Sequence, residues 1–551
     1  MPQPRRIHRA PADSGSRLLD PPLVAAAGHG SIEDLVDNNR LLRAAFDTRI
    51  GDLKLWELVA ATRREMLTVA VEYTAAYRDA RRPDDVAGWI ARPIIMGGHQ
   101  PELFHAGVWL KNAALDAYAR RVGGTAINLI VDSDRCQGTT APVPVGTPRA
   151  ARLEHVPFDV AAPEMPWEER GVVDRDCFES FGNRAADLLA PLAPDCILRP
   201  WWPLVVERTH ESHRLGLGIA QARHMLEERL GLESLELPVS EMVRLPTVMV
   251  FIGWLLAHAP RLHEAHNAAV AAYRREHRVR GHGRPIPELA ARREAGEEWL
   301  EVPWWLWAKD EPRRRRVFAS RSADGLTLSD LETVRIELPI SPETSPSKWV
   351  DALSRIEEHQ LRLRPRAVVT TLIARLLVAD VFVHGIGGAA YDRITDDLVR
   401  RLTGCDPPRH AVVSGTLRLP VEQLFPGFES DDPEAKLAAV QAGIRDLEFH
   451  PERHLEPLAS QPEVVQELLT EKWRWINTHP TTALARRRCR EIRAANARLA
   501  VHTQPLRDEL LGRVGPLAAA IRGRKALASR EFPWCFFPEK TLKTFLTLET
   551  V

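Results

Sequence analysis

Arg92-Pro-Ile-Ile-Met-Gly-Gly-His-Gln-Pro-Glu-Leu-Phe-His-Ala-Gly107 is the stretch around which the rest of the chain can be placed. Its apolar run, Pro93 to Met96, stops at Gly97-Gly98 and is followed by His99 and Gln100. Helical spacing then begins with Leu103, Val108, Leu110, Ala114 and Leu115 and lasts to about Arg121. After Gly123-Gly124 a second apolar run, Thr125 to Val131, ends in Asp132-Ser133-Asp134. Strand, glycine turn, helix and strand in that order predict a parallel α/β unit. Ligands of such sheets sit at the carboxyl ends of the strands, where His99, Gln100, Asp132 and Asp134 fall.

A second signature of the same kind comes much later. Leu363-Arg364-Pro365-Arg366 leads into an apolar helix over 367–379, then a strand over 381–384, the turn Gly385-Ile386-Gly387-Gly388 and a helix over 389–402. Residues 411–419 read as a further strand. The α/β core is thus expected over 89–420, interrupted at about 141–362. Within the interruption, 141–170 is proline-rich and aperiodic, so a long excursion from the sheet is expected. Helical patterns follow at 174–192, 209–230 and 246–277, then a hairpin or small sheet at 299–308 and 316–320. Before the core, residues 1–30 read as a loose leader, and Ser31 caps helices that run to Asp79; together they make an N-terminal segment, 1–88. After it, 421–551 reads as a helical region whose aromatic end (Phe532, Trp534, Phe536, Phe537, Phe545) docks on the body.

At 551 residues the chain exceeds one hydrophobic core, and its 44% hydrophobic and 27% charged composition is that of a soluble globular protein. Lys+Arg and Asp+Glu both number 74, so bulk charge gives no reason to expect nucleic acid as partner. The six cysteines show no Cys-x-x-Cys pair, which suits reduced thiols in the cytoplasm and offers no metal-ligand spacing. The basic start lacks a following apolar segment, so no signal peptide is expected, and no run reaches the roughly 18 apolar residues of a membrane span.

The candidate site residues each carry a chemical reason. Gly98, His99 and Gln100 after a strand would let backbone amides and an imidazole approach a polar ligand. Asp132 and Asp134, one residue apart, point the same way in extended chain; they would bind an amine, hold Mg²⁺ or act as base, or else cap and solvate a strand end. Gly387 and Gly388 resemble a phosphate cradle without being the dinucleotide fingerprint, with His384 before them and Tyr391 and Asp392 after. Close strand–helix packing is the other reading of these glycines. Arg364 and Arg366 would fork onto a carboxylate or phosphate, or form surface ion pairs. The run Arg313 to Arg316, near Trp304, Trp305 and Trp307, reads as a hairpin tip over an aromatic core rather than a nucleic-acid surface.

Strand-Gly-His-Gln-helix followed by a strand ending in acids resembles the bacillithiol-biosynthesis cysteine-adding enzymes, the cysteine ligases of that pathway. Asn267 to His277 in a long helix, Arg364-Pro365-Arg366, and Ile386-Gly387-Gly388 with Tyr391 following are similar to regions of the same family. The resemblance implies a Rossmann-like core with connecting insertions, a C-terminal coiled coil that pairs two chains, and addition of cysteine to a glucosamine–malate conjugate. This chain departs from the family where Asp132-Ser133-Asp134-Arg135 replaces an acidic stretch with a histidine, and where Asp392 follows the tyrosine.

The expected function is therefore a ligase joining cysteine or a similar amino acid to an amine-bearing, aminosugar-type acceptor. His99, Asp132 and Asp134 are its catalytic candidates, and ATP with Mg²⁺ the expected source of activation. The alternatives are a nucleotidyl transferase of the same broad superfamily, for which Ser345-Pro-Ser-Lys348 is a faint echo of a lysine-bearing loop, and a non-catalytic ligand-binding protein. A homodimer is expected from the apolar stripe Leu484, Ile492, Ala495, Leu499 and Leu506 on an otherwise charged helix.

Overall fold

The computed structural model describes residues 19–26, 31–80, 85–279, 286–294, 296–322, 325–428, 430–479 and 481–547. The apolar runs of the sequence form a five-stranded parallel sheet. Its strands lie in the order His410–Leu417, Val381–His384, Ile94–His99, Thr125–Ile130, Leu235–Pro238. Taken in chain order, the strands are arranged 3-2-1-4-5, as in doubly wound α/β sheets. The point where the winding reverses lies between Ile94–His99 and Val381–His384.

Both faces of this sheet are covered, which is why its strands read as unbroken apolar runs. Ile94, Met96, Ile127 and Leu129 enter one core with the helix Leu55–Ala75. Ile95, Ala126, Val381 and Val383 enter the other with the helix Ala106–Arg121 and the docked tail. The tail is held by Trp534 packing at a tilt against Trp109, with ring centroids 4.3 Å apart, and by the Trp534 backbone N–H donating to the Phe104 carbonyl at 3.0 Å.

Four sequence expectations change. Residues Leu19–Ala26 are no loose leader but an antiparallel edge strand on His410–Leu417. Pro21 and Pro22 fall where its register shifts, the place in a ladder that tolerates a missing N–H. The proline-rich excursion contains a hairpin, Thr140–Val145 on Arg152–Pro157; in a two-stranded ribbon both strands are edges, so Pro142 and Pro144 are accommodated. The helices of the insertion are shorter and more numerous: Leu198–Ser212 and Leu215–Arg229 meet at His213, φ 55°, and Pro246–Ala257 gives way to Ala259–His277. Leu361–Pro365 does not enter the parallel sheet. It closes an antiparallel sheet ordered Arg335–Leu338, Gly325–Ser329, Arg315–Ser322, Glu297–Ala308, Leu361–Pro365.

The N-terminal helices are clamped to the sheet by one carboxylate. Asp380, fully buried, accepts from Arg43 at 2.8 Å, Arg63 at 2.9 Å, Arg40 at 3.2 Å and the Ile94 amide at 2.8 Å. In the C-terminal region Glu463–Ile476 packs on Thr482–Leu499, while Pro433–Phe449 packs on Gln504–Leu527. Leu499 of the apolar stripe is buried with Val465, Leu468 and Leu469 of its own chain. Among the described residues no helix is long and apolar enough to cross a membrane.

Candidate functional site

The carboxyl ends of the two central strands deliver Gly98 and His99 from one side and His384 and Gly385 from the other. Behind His99 the chain turns through Pro101 to Phe104 and re-enters the fold as the helix Ala106–Arg121, capped by His105. Behind His384 it passes directly into the helix Ile386–Thr403, so Gly387 and Gly388 belong to a first helical turn rather than to a separate loop.

His99 is half-buried, edge-on to Phe104 with centroids 5.1 Å apart, and its Nδ1–H donates to the Gln100 carbonyl at 3.1 Å. Burial, then the charge of Lys111, push its pKa down to about 3. The ring is neutral at working pH and, with Nδ1 donating, offers Nε2 as an acceptor. Gln100 Nε2 donates to Asp134 at 2.7 Å, and Arg314 donates to the other oxygen of Asp134 at 2.8 Å. Glu102 stands next to this pair. Burial and the charge of Asp134 raise its pKa, and no basic side chain lies within ion-pair distance of it among the described residues. His99, Gln100 and Glu102, with Asn112, Asn128 and Arg223, line a slit of about 10 Å³, the room of one water molecule. Directly after Asp134, Arg135 and Cys136 open into a cavity of about 550 Å³.

Asp132 does not join Asp134. The strand ends at Ile130 and the chain turns, so the two carboxylates diverge. Asp132 is buried and accepts from the Ser240 amide at 3.0 Å and from its hydroxyl. Burial and the neighbouring Glu168 push its pKa up to about 7. It is an internal cap, inaccessible to an amine or to Mg²⁺.

Arg364 is equally committed: Glu168 takes it in two bonds of 3.0 and 2.6 Å, and Glu357 takes it at 2.6 Å. Arg366 pairs with Glu301 at 2.7 Å and, like Arg314, stacks over Trp305, at 4.2 and 4.7 Å from the ring centroid. Asp392 is buried on the inner side of its helix, bonded to Arg375 at 2.5 Å and to His384 Nε2 at 2.9 Å, with His410 at 3.5 Å. Of the residues expected at the second glycine turn, only Gly387, Gly388 and the exposed Tyr391 remain open to a ligand.

No family model matches the chain, and no curated protein does.

Among the described residues two side-chain groups have the composition of metal sites. The donor atoms of His384, Asp392 and His410 lie within 4.8 Å of one another, as do those of His224, Glu227 and Glu236. In each an arginine already supplies the positive charge: Arg375 on Asp392, and Arg223 bonded to both Glu227 and Glu236. Both read as self-neutralised internal hubs. Of the site's further residues, Arg314 was hidden in a basic run that looked like a solvated hairpin tip. Lys111 left a clearer signal, a lone lysine on the buried face of an apolar helix. Its Nζ donates to the Gly98 carbonyl at 3.2 Å, and burial pushes its pKa down to about 8.

Proposed function

We propose that the chain is an amine–carboxylate ligase working at the switch point of its sheet, with cysteine or a similar amino acid and an aminosugar-type acceptor as substrates. The observation that carries the reading is Glu102. It is a carboxylate of raised pKa with no basic partner among the described residues, beside Asp134 and a neutral His99, in a slit wide enough for an ammonium group but not for a ring. Glu102 attracts and holds the amine, while Asp134, paired with Arg314, fixes Gln100 beside it. His99, held neutral, offers Nε2 as a hydrogen-bond acceptor that orients the amine toward the activated acid. The cavity lined by Arg135 and Cys136 has the volume for the sugar-type body of the acceptor.

Across the crevice, the first turn of Ile386–Thr403 faces the ligand end of the sheet with no side-chain cap, a fit for an anionic group. A bound ATP would supply activation of the acid there. Mg²⁺ held by Asp132 does not fit, because Ser240 occupies that carboxylate. The specific substrates come from the resemblance to cysteine-adding enzymes, whose Rossmann-like core suits the 3-2-1-4-5 strand order.

The test is incubation of purified protein with ATP, cysteine and a panel of aminosugar acceptors, read by mass spectrometry. A conjugate formed by the wild type, and lost in Glu102→Gln and His99→Ala variants that melt normally, is the expected outcome. Absence of any conjugate together with absence of ATP turnover would sink the ligase reading.

A further inference from the structure

We propose that Lys111 and the first turn of the helix Ile386–Thr403 form a phosphate-binding subsite at the switch point. The helix is 18 residues long, its N-cap is Gly385, and no side chain satisfies its first amides. The N–H groups of Ile386, Gly387 and Gly388 have no acceptor within the helix and carry the positive end of its dipole.

Lys111 is the second, independent observation. It is 7% exposed, and among the described residues no carboxylate lies within 4 Å of its Nζ. Every other buried cation described has one: Arg43 and Arg63 have Asp380, Arg170 has Asp159, Arg223 has Glu227, Arg362 and Arg364 have Glu168, Arg375 has Asp392 and Lys472 has Glu452. The Lys111 Cδ stands 3.8 Å from where a Cβ on Gly385 would be, and among the described residues its Nζ donates only to the Gly98 carbonyl at 3.2 Å, so an ammonium without a carboxylate lies at the strand end from which the helix starts.

The glycines keep the approach open. A Cβ on Gly387 would meet nothing within 4 Å, and one on Gly385, φ −81°, would meet only Lys111. Neither packing nor backbone geometry requires glycine at these two positions. Gly388 differs, since a Cβ there would stand 2.9 Å from His384 Nδ1. Three amides and an ammonium with hydrogens to spare can each meet a different lone pair of the three terminal oxygens of a phosphate, whose double charge also draws more from the ammonium and the helix dipole than a carboxylate does.

The subsite deepens the ligase reading and rests on it for the bearer of the phosphate, a nucleotide. Isothermal titration of the full chain with inorganic phosphate, ADP and glucosamine phosphate tests both layers separately. The wild type should bind phosphate and ADP. Lys111→Met should weaken both at least tenfold, and Ile386→Pro, which removes one donor at a position where proline suits the helix, should weaken both several-fold. Thermal melts check that each variant is folded, and Ile386→Pro decides alone if Lys111→Met is not. Binding of inorganic phosphate and glucosamine phosphate, both weakened in the variants, without ADP binding would support the subsite and remove the nucleotide from the ligase reading. Unchanged binding in the folded variants, or no binding of phosphate and ADP by the wild type at millimolar concentration, overturns the subsite.

Discussion

Lys111→Met should make the ligand-free protein more stable. A drop of the lysine pKa from 10.5 to about 8 means that the folded state disfavours the charged form by about 3 kcal/mol. Methionine fills a similar volume without the charge. It forgoes the bond to Gly98, about 1 kcal/mol net, leaving a gain of about 2 kcal/mol at pH 7. The pH window follows from the direction of the change. Between about pH 8 and 10.5 the unfolded chain holds the lysine proton and the folded one does not, so wild-type stability rises with pH there. The advantage of the variant should be full below about pH 8 and gone by about pH 10.5. The other titratable groups felt at this position, His99 and His105, are both shifted down and stay neutral across the window. Urea unfolding midpoints for the two proteins at neutral and alkaline pH measure the gap, and added phosphate should narrow it by stabilising the wild type alone. A variant less stable than wild type at neutral pH, or a gap that ignores pH, refutes the reasoning.

Asp380→Ala leaves three arginines around an empty position and should cost about 3 to 5 kcal/mol, read as a lower urea midpoint; a loss under 1 kcal/mol would deny the clamp its role. Asp132, whose folded pKa of about 7 lies above its usual value, contributes stability that is complete in acid and lost as pH rises through 7. Asp132→Asn should therefore gain on the wild type between about pH 4 and pH 7, and parallel stability curves across that range would contradict this. We also propose that two chains pair through the C-terminal helices, where Val501 and Leu511 are exposed; light scattering should give a dimer that Leu511→Glu splits, and a monomeric wild type ends the idea.

The sheet was legible because both its faces are buried, which turns each strand into an apolar run with a glycine or acidic stop. The edge strand at Leu19–Ala26 and the Thr140–Val145 hairpin were not, because proline in a ribbon or at a bulge cancels the usual strand signal. In the site, position along the chain located His99 and Gln100 correctly at a strand end. It did not reveal which charged groups the protein had already spent on itself. Asp132, Arg364 and Asp392 look as free in one dimension as Glu102 and Lys111, and only their partners, from 7 to nearly 200 residues away, separate the two classes. The fold thus explains more of the site by subtraction than by motif.

The winding of the sheet also dictates a delay during synthesis. Ile94–His99 can pair early with Thr125–Ile130, but its other neighbour, Val381–His384, is made about 280 residues later. At about 5 to 20 residues per second, the apolar edge of the central strand waits roughly 15 to 60 s for its partner. An unpaired strand edge of Ile94, Ile95 and Met96 is a template for the wrong neighbour throughout that interval. Nascent chains stalled in the insertion should accordingly depend on a chaperone to stay soluble, and chains released after His410–Leu417 should not.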